Sequence, residues 1–262
     1  MIKEKLTAEM IRRGLTTRLI GRQVVVYPRI GSTNDEAKRL AEAGAPEGTL
    51  VIADEQTAGR GRLQRTWWAP AGTALLMSLI LRPDLAPHQA QRLTMLCSLA
   101  VCDAIAGTTG LVPAVKWPND VLLRGRKVCG ILTELGIKGT RLVYAVVGMG
   151  VNVNVNFGGA GELTLTATSL AQELGREVSR LELLRAILIN IEERYTRLRA
   201  GESPHAEWAA RLATLGQRVV ITTPTEQLSG IAEGVDADGA LILRDESGAL
   251  RPILAGDVTL RA

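Results

Sequence analysis

The sequence predicts an α+β protein: a mixed central sheet covered by helices across residues 1–214, followed by a small all-β segment across residues 215–262. Three observations carry that expectation. Apolar runs of strand length alternate with segments of helical period as far as Leu212; beyond Gly216, short β runs alternate with turns such as Asp238-Gly239 and Ser247-Gly248. Aromatic residues make up only 3% of the chain, so Leu, Val, Ile and Ala must build its core.

A short helix is predicted over residues 7–15. Residues 23–29 (QVVVYPR) open as a β-branched run, and Ser32-Thr33-Asn34-Asp35-Glu36 then reads as a helix start, Thr33 and Glu36 having capping-box spacing and Gly44 closing the helix. Residues 49–53 and 73–81 are apolar enough for buried strands. Residues 88–106 read as a helix, and residues 114–117, 128–135 and 142–151 as further strands. Over residues 181–199 the spacing of Leu184, Ile187, Leu188, Ile191, Tyr195 and Leu198 makes one face of an amphipathic helix. Gly201-Glu202-Ser203-Pro204 interrupts it, a second short helix runs to about Leu212, and no helix is expected after residue 217.

With 262 residues, 46% hydrophobic, the chain can bury a sizeable core. Its formal charge of +4 demands no nucleic-acid partner. Cys97, Cys102 and Cys129 form no C-x-x-C pair and are odd in number, which argues against a secreted disulfide framework. The N-terminus mixes charges and lacks an apolar leader core, so a cytoplasmic location is expected. The longest apolar stretch, residues 93–107, contains Asp103 and is too short to span a bilayer, so no membrane association is expected.

Four segments carry chemistry. In ADEQTAGRGRLQRTWW (residues 53–68), Gly59 and Gly61 let backbone approach a ligand, and Arg60, Arg62 and Arg65 supply permanently charged planar forks for phosphate or carboxylate. Trp67 and Trp68 follow directly, which a fully solvated basic loop would not explain. Lys116-Trp117-Pro118-Asn119-Asp120 comes after a predicted strand, and its turn would hold the lysine and the acidic pair beside a cleft; a surface cation–π pair followed by a plain turn is the other reading. Gly148-Met149-Gly150-Val151-Asn152 is either a bulged strand end or a close approach to a ligand, with Asn152 offering both donor and acceptor. Ser32-Thr33-Asn34 can cap a helix and also present polar groups at its N-terminus. His88 and His205 are far apart in sequence, and neither they nor the cysteines have zinc-ligand spacing.

Ser-Thr-Asn at 32–34, Gly-Arg-Gly-Arg at 59–62, Lys-Trp-Pro-Asn-Asp at 116–120 and Gly-Met-Gly-Val-Asn at 148–152, in this order, resemble biotin protein ligases. The tail, with GIAEGVDADGALIL and AGDVTLR, is similar to the family's small C-terminal SH3-like β barrel. The resemblance implies a class II aminoacyl-tRNA synthetase-like ligase domain at residues 1–214 and the barrel at 215–262. It implies a reaction in which biotin and ATP give biotinyl-5′-adenylate, and biotin then passes to a lysine of a carboxylase's biotin carboxyl carrier domain. No nucleophilic side chain is required, because each substrate brings its own nucleophile.

On this resemblance Ser32, Thr33, Asn34 and Gln56 line the biotin head, while Gly59, Arg60, Gly61 and Arg62 contact its carboxylate end and the adenylate phosphate. Lys116 and Arg62 are the catalytic candidates, Lys116 lying between carboxylate and α-phosphate and also contacting biotin. Arg65, Trp67, Asn119, Lys127 and Asn152 would hold the nucleotide with Arg62, and Asp120 is the candidate contact for magnesium, expected with a polyphosphate leaving group. Leu63-Gln64 stand where the family's loop continues with a basic residue and a glycine.

Some members also carry an N-terminal DNA-binding domain of roughly sixty residues, the size of a small independent domain. The Ser-Thr-Asn motif at position 32 leaves space here for one short helix, so a monofunctional ligase without DNA binding is expected. The resemblance implies a homodimer as the expected assembly, since relatives often dimerise through the central sheet. A lipoate-type ligase of the same fold is the alternative enzyme, and a nucleotide- or RNA-binding module without catalysis the alternative class.

Overall fold

The computed structural model of the protein describes residues 5–159, 161, 163–223 and 225–260. In chain order the first seven strands are β1 (Val24–Tyr27), β2 (Leu50–Ala53), β3 (Ala74–Leu81), β4 (Ala114–Lys116), β5 (Asp120–Leu123), β6 (Arg126–Lys138) and β7 (Arg141–Asn152). They form one mixed sheet in the order β1-β2-β3-β7-β6-β5-β4, parallel between β1 and β2 and antiparallel elsewhere. Every residue of β3 is buried, as a strand covered on both faces must be.

The helices are α1 (Ala8–Arg12), α2 (Thr33–Glu42), α3 (Gln91–Thr109), α4 (Leu163–Thr166), α5 (Leu170–Leu174), α6 (Arg180–Arg199) and α7 (His205–Ala210). Helix α2 covers one face of the sheet, packing Ala37 and Ala41 against Val51, Ile80 and Val146. Helices α3 and α6 belong to the main core on the other face. Between Leu93 and Ile105, α3 is buried except at Asp103, whose carboxylate is taken by Arg194 of α6 and by Arg211.

The last five strands, β8 (Arg218–Thr222), β9 (Gln227–Val235), β10 (Leu241–Asp245), β11 (Leu250–Ile253) and β12 (Asp257–Leu260), make an antiparallel sheet in the order β11-β10-β9-β8-β12. Among the described residues after 217 no helix occurs. This sheet meets the larger one at named contacts. The Trp117 indole N–H donates to the Gly239 carbonyl at 2.8 Å, and Arg92 of α3 pairs with Asp238 at 2.8 Å.

Several local expectations need correction. The predicted helix 7–15 contracts to α1, capped by the Thr7 hydroxyl, because Gly14 turns into the left-handed region at φ 79°. The capping box at Thr33 and Glu36 does not form. Ser32 is the N-cap, so Thr33 is already helical; its hydroxyl donates to Gln56 Oε1, and Glu36 takes the Tyr27 hydroxyl and Arg39 instead. Strand β5 was not anticipated because it follows Pro118-Asn119 without a break, and α4 and α5 lie in a stretch where the sequence offered no periodicity. Among the described residues no helix is long and apolar enough to cross a membrane.

Candidate functional site

A cleft of about 650 Å³ opens over the middle strands of the large sheet and is bordered by β12 of the small one. Its floor is made of glycines. Gly130 on β6 and Gly150 on β7 are register partners, and a Cβ on either would meet the Trp67 indole, at 2.9 Å and 2.4 Å respectively. With no side chain at either position, β6 and β7 leave a flat bed on which Trp67 lies. At Gly148 a Cβ would stand 2.1 Å from Asn34 Oδ1, so the glycine lets the first turn of α2 settle onto the sheet.

The wall beside that turn is polar and buried. Gln56 Oε1 accepts from both the backbone N–H and the hydroxyl of Thr33, at 2.7 and 2.9 Å. Ser78 on β3 donates toward Thr33 Oγ1 at 2.8 Å and Asn34 Oδ1 at 2.6 Å, and the Asn34 amide donates to Glu134 Oε2 at 2.7 Å. Ser32, Thr33 and Asn34 are all buried, and with Gln56 they line the cleft. Ser78 and Glu134 were missed in the sequence, although a serine in an otherwise apolar eight-residue strand is a visible signal that something polar faces it.

The arginine loop folds back on itself. Gly61 N–H donates to Arg65 O at 2.7 Å, Trp67 N–H donates to Gly59 O at 2.9 Å, and Leu63 sits at the tip with φ 54°. Its three arginines take different partners. Arg60 forms a two-pronged pair with Asp35 at 2.8 and 2.5 Å, Arg65 pairs with Asp257 of β12, and Arg62 reaches only Asn119 Oδ1, at 3.3 Å. Burial works against the Arg62 charge and holds its pKa below the usual guanidinium value. A bound anion would offset that cost. Gly59, expected at the ligand, does not line the cleft: a Cβ there would come within 2.6 Å of the Trp67 carbonyl oxygen, so the glycine serves the loop's own closure.

Lys116 ends β4 opposite Asp120 on β5, and both line the cleft. Asn119 is fixed by its amide, which donates to Ile131 O at 2.6 Å. Asp120 pairs with Lys127 at 2.7 Å, and the Lys127 ammonium lies 5.4 Å from the Trp67 ring centroid. A surface Lys116–Trp117 cation–π pair is excluded, since Trp117 is 1% exposed and its indole is committed to Gly239. Both tryptophans line the cleft, Trp67 half-buried against the glycines and Trp68 54% exposed at its rim.

At the far end, the Asn152 amide donates to Thr168 O at 3.1 Å while its Oδ1 is buried with no hydrogen-bond partner among the described residues. Trp67 Nε1 is buried and equally unpartnered. Such groups carry a desolvation penalty that a bound molecule with a complementary donor and acceptor would remove. Phe157, Leu163 and Leu165 supply apolar surface there, and Asp257 and Thr259 complete the edge from β12. Sequence reasoning named none of these.

The cysteines stay out of the chemistry. All three are buried; the absence of water pushes the Cys97 and Cys102 thiols up to about 12 and Cys129 well above its usual value. Among the described residues no group of three or more His, Cys, Asp or Glu side chains is arranged to hold a metal ion.

A family model described as the Biotin/lipoate A/B protein ligase family matches residues 26–152, and one described as the Biotin protein ligase C terminal domain matches residues 214–261. The chain is 38% identical over 259 residues to the bifunctional ligase/repressor BirA of Bacillus spizizenii, covering 98% of this chain and 79% of that one. It is 35% identical to the biotin--[acetyl-CoA-carboxylase] ligase of Mycobacterium tuberculosis, covering 98% and 97%. Among solved structures it resembles the biotin protein ligase from Aquifex aeolicus in complex with biotin and ATP, with a TM-score of 0.76 at 28% identity over 92% of this chain and 99% of that chain.

Proposed function

The chain belongs to the biotin protein ligase family, and we propose that its cleft joins biotin to ATP and delivers the activated biotin to a protein lysine. One observation carries the assignment of residues. A polar wall built by buried Thr33 and Asn34 with half-buried Gln56 runs into a half-buried, weakly partnered Arg62 and the Lys116 ammonium within a single cleft, so a neutral polar head and a carboxylate-plus-phosphate end find matching surfaces.

In the first step a biotin carboxylate oxygen attacks the α-phosphorus, the bond to the β-phosphate oxygen breaks, and pyrophosphate leaves with the electron pair. Two anions must meet, so fixed positive charge where they meet lowers the barrier. Lys116 and Arg62 supply it. Among the described residues no carboxylate pairs with Lys116, whereas its neighbour Asp120 is occupied by Lys127. In the second step a lysine amine of the acceptor attacks the mixed-anhydride carbonyl, loses a proton and expels AMP. Asn152 Oδ1 and Trp67 Nε1 offer an acceptor and a donor for the base, and Arg65 and Lys127 flank the phosphates.

Magnesium enters this reading as the partner of the triphosphate, where it would neutralise the leaving group. The donor set fits that limited role: the two carboxylates that line the cleft, Asp120 and Asp257, are already paired with Lys127 and Arg65, which suits an ion held chiefly by phosphates and water. Residues 1–214 would form the ligase unit and residues 215–262 a unit that closes the cleft edge through Asp257 and Thr259. The acceptor is the carrier domain of a biotin-dependent carboxylase, and the cytoplasm the compartment.

The test is ATP–pyrophosphate exchange with biotin and lipoate side by side. Exchange dependent on biotin and absent with lipoate is expected; exchange with lipoate alone would transfer the assignment to the lipoate-type reaction, and RNA binding without exchange would remove the enzyme reading.

A further inference from the structure

Asp35 does not itself line the cleft, yet it holds Arg60, which does and which is one of the arginines expected to bind the ligand. Its two carboxylate oxygens grip Arg60 in a fork at 2.8 and 2.5 Å, and the pair keeps the Asp35 carboxyl below the usual carboxylate range. Around it a balanced cluster forms: Lys38 bridges Asp35 at 3.2 Å and Glu134 at 2.8 Å, and Glu134 lies 3.8 Å from Arg60. Glu134 also accepts from the Asn34 amide, and Asn34 in turn accepts from Ser78. The buried polar wall is thus linked, contact by contact, to the loop two residues before Arg62.

The direction of these contacts matters. Arg60 is drawn toward α2, whereas Arg62 reaches across to Asn119 between β4 and β5. Residues 60 and 62 therefore anchor the loop from opposite sides of the cleft mouth, and only one of them, Arg62, still has a fork free of carboxylate partners among the described residues. A single exposed ion pair contributes little to global stability, but a two-pronged pair within a network fixes geometry, and geometry decides how often a covering loop opens.

We infer that Asp35 is a positioning residue: by gripping Arg60 it keeps residues 59–62 closed over the adenylate, so that it governs retention of the intermediate and not its formation. The inference rests on the adenylation reading above. Under it, Arg60 acts as a fastener between α2 and the loop, its guanidinium held by Asp35 at the cleft wall.

The experiment loads the full chain with biotin and ATP, removes excess substrates by rapid gel filtration, and follows release of the adenylate. Asp35→Asn is expected to release it about tenfold faster, the scale of one charge-assisted contact, while the pyrophosphate burst rate and the biotin KM stay within about twofold of wild type. Raising ionic strength should speed release from wild type and leave the variant unchanged. Asp35→Glu should restore most of the retention, and Asp35→Asn combined with Arg60→Gln should be no leakier than either alone. Release at the wild-type rate from Asp35→Asn, or an equal fall in burst rate and retention, would overturn the inference. A wild-type protein that gives no burst overturns the ligase reading and this inference with it, an outcome recognisable before any variant is made.

Discussion

The indole of Trp67 lies so close to Gly150 that a methyl group there would stand 2.4 Å from Cε2, with the Gly130 position across the ladder only slightly more open. The tryptophan belongs to the arginine loop and the glycine to the sheet. The contact is therefore where the loop side of the site is registered on the sheet.

Gly150→Ala should displace the indole without harming the strand, because Gly150 does not need a left-handed backbone. Overpacking of this kind costs about 1–3 kcal/mol when the neighbour must move. The expected outcome is a Kd for ATP raised about tenfold or more with biotin affinity retained, since the Thr33–Gln56 wall lies elsewhere in the cleft. Parallel calorimetric titrations with biotin and with ATP check it, and equal weakening of both ligands would contradict it.

Lys116→Ala should keep biotin binding and lose adenylate formation. The lysine sits at the end of β4, and removing its side chain leaves the Trp117 and Thr214 contacts that hold the strand in place. Removal of one group that stabilises transition-state charge costs roughly 100-fold to 1000-fold in rate. A biotin titration paired with a pyrophosphate-release assay reads both quantities; losses of equal size would count against a catalytic role.

Much of this was legible from four short motifs because each pairs glycine or a turn former with a charged or amide side chain, a combination with few structural uses. The chain supplied their positions, and the fold supplied what they share, a single cleft. Gly59 and Gly61 read alike in the sequence and part in the fold, Gly61 lining the cleft. Both are loop glycines in sequence, but only the three-dimensional return of the chain shows Gly59 pressed against the Trp67 carbonyl. The partners of the arginines were illegible in principle: Asp35, Asn119 and Asp257 lie 25, 57 and 192 residues away from Arg60, Arg62 and Arg65, and nothing local in an aspartate announces such a pairing. Leu163 and Leu165 were passed over because exposed leucines on a one-turn helix carry no periodic signal.

Glu192 gives a prediction about acid stability. Burial acts to raise its pKa, but the backbone N–H groups of Arg18, Ile20 and Leu19 donate to the carboxylate and outweigh burial, so its pKa lies below the ordinary glutamate value. A group depressed in the folded state adds stability above its unfolded pKa, about 4.3, and loses it as pH falls through the folded value. Glu192→Gln should therefore cost about 1–2 kcal/mol at neutral pH and converge on wild type in acid. Urea unfolding at pH 7 and at pH 3 checks the sign; a gap that widens in acid would refute it.

Trp117→Phe tests whether the small sheet supports the catalytic lysine. The tryptophan follows Lys116 directly, its backbone N–H donates to Thr214 Oγ1 at 3.0 Å, and its indole N–H donates to Gly239 O on the hairpin between β9 and β10. Phenylalanine keeps a large ring but removes the donor and leaves the Gly239 carbonyl short of a partner, a loss of about 1–2 kcal/mol. If the hairpin only packs against the ligase unit, thermal stability falls and turnover at saturating substrate is unchanged. Because the lysine and the tryptophan are consecutive on one short strand, we expect both to fall, kcat by several-fold and biotin KM little, and steady-state kinetics below the melting transition separate the two outcomes.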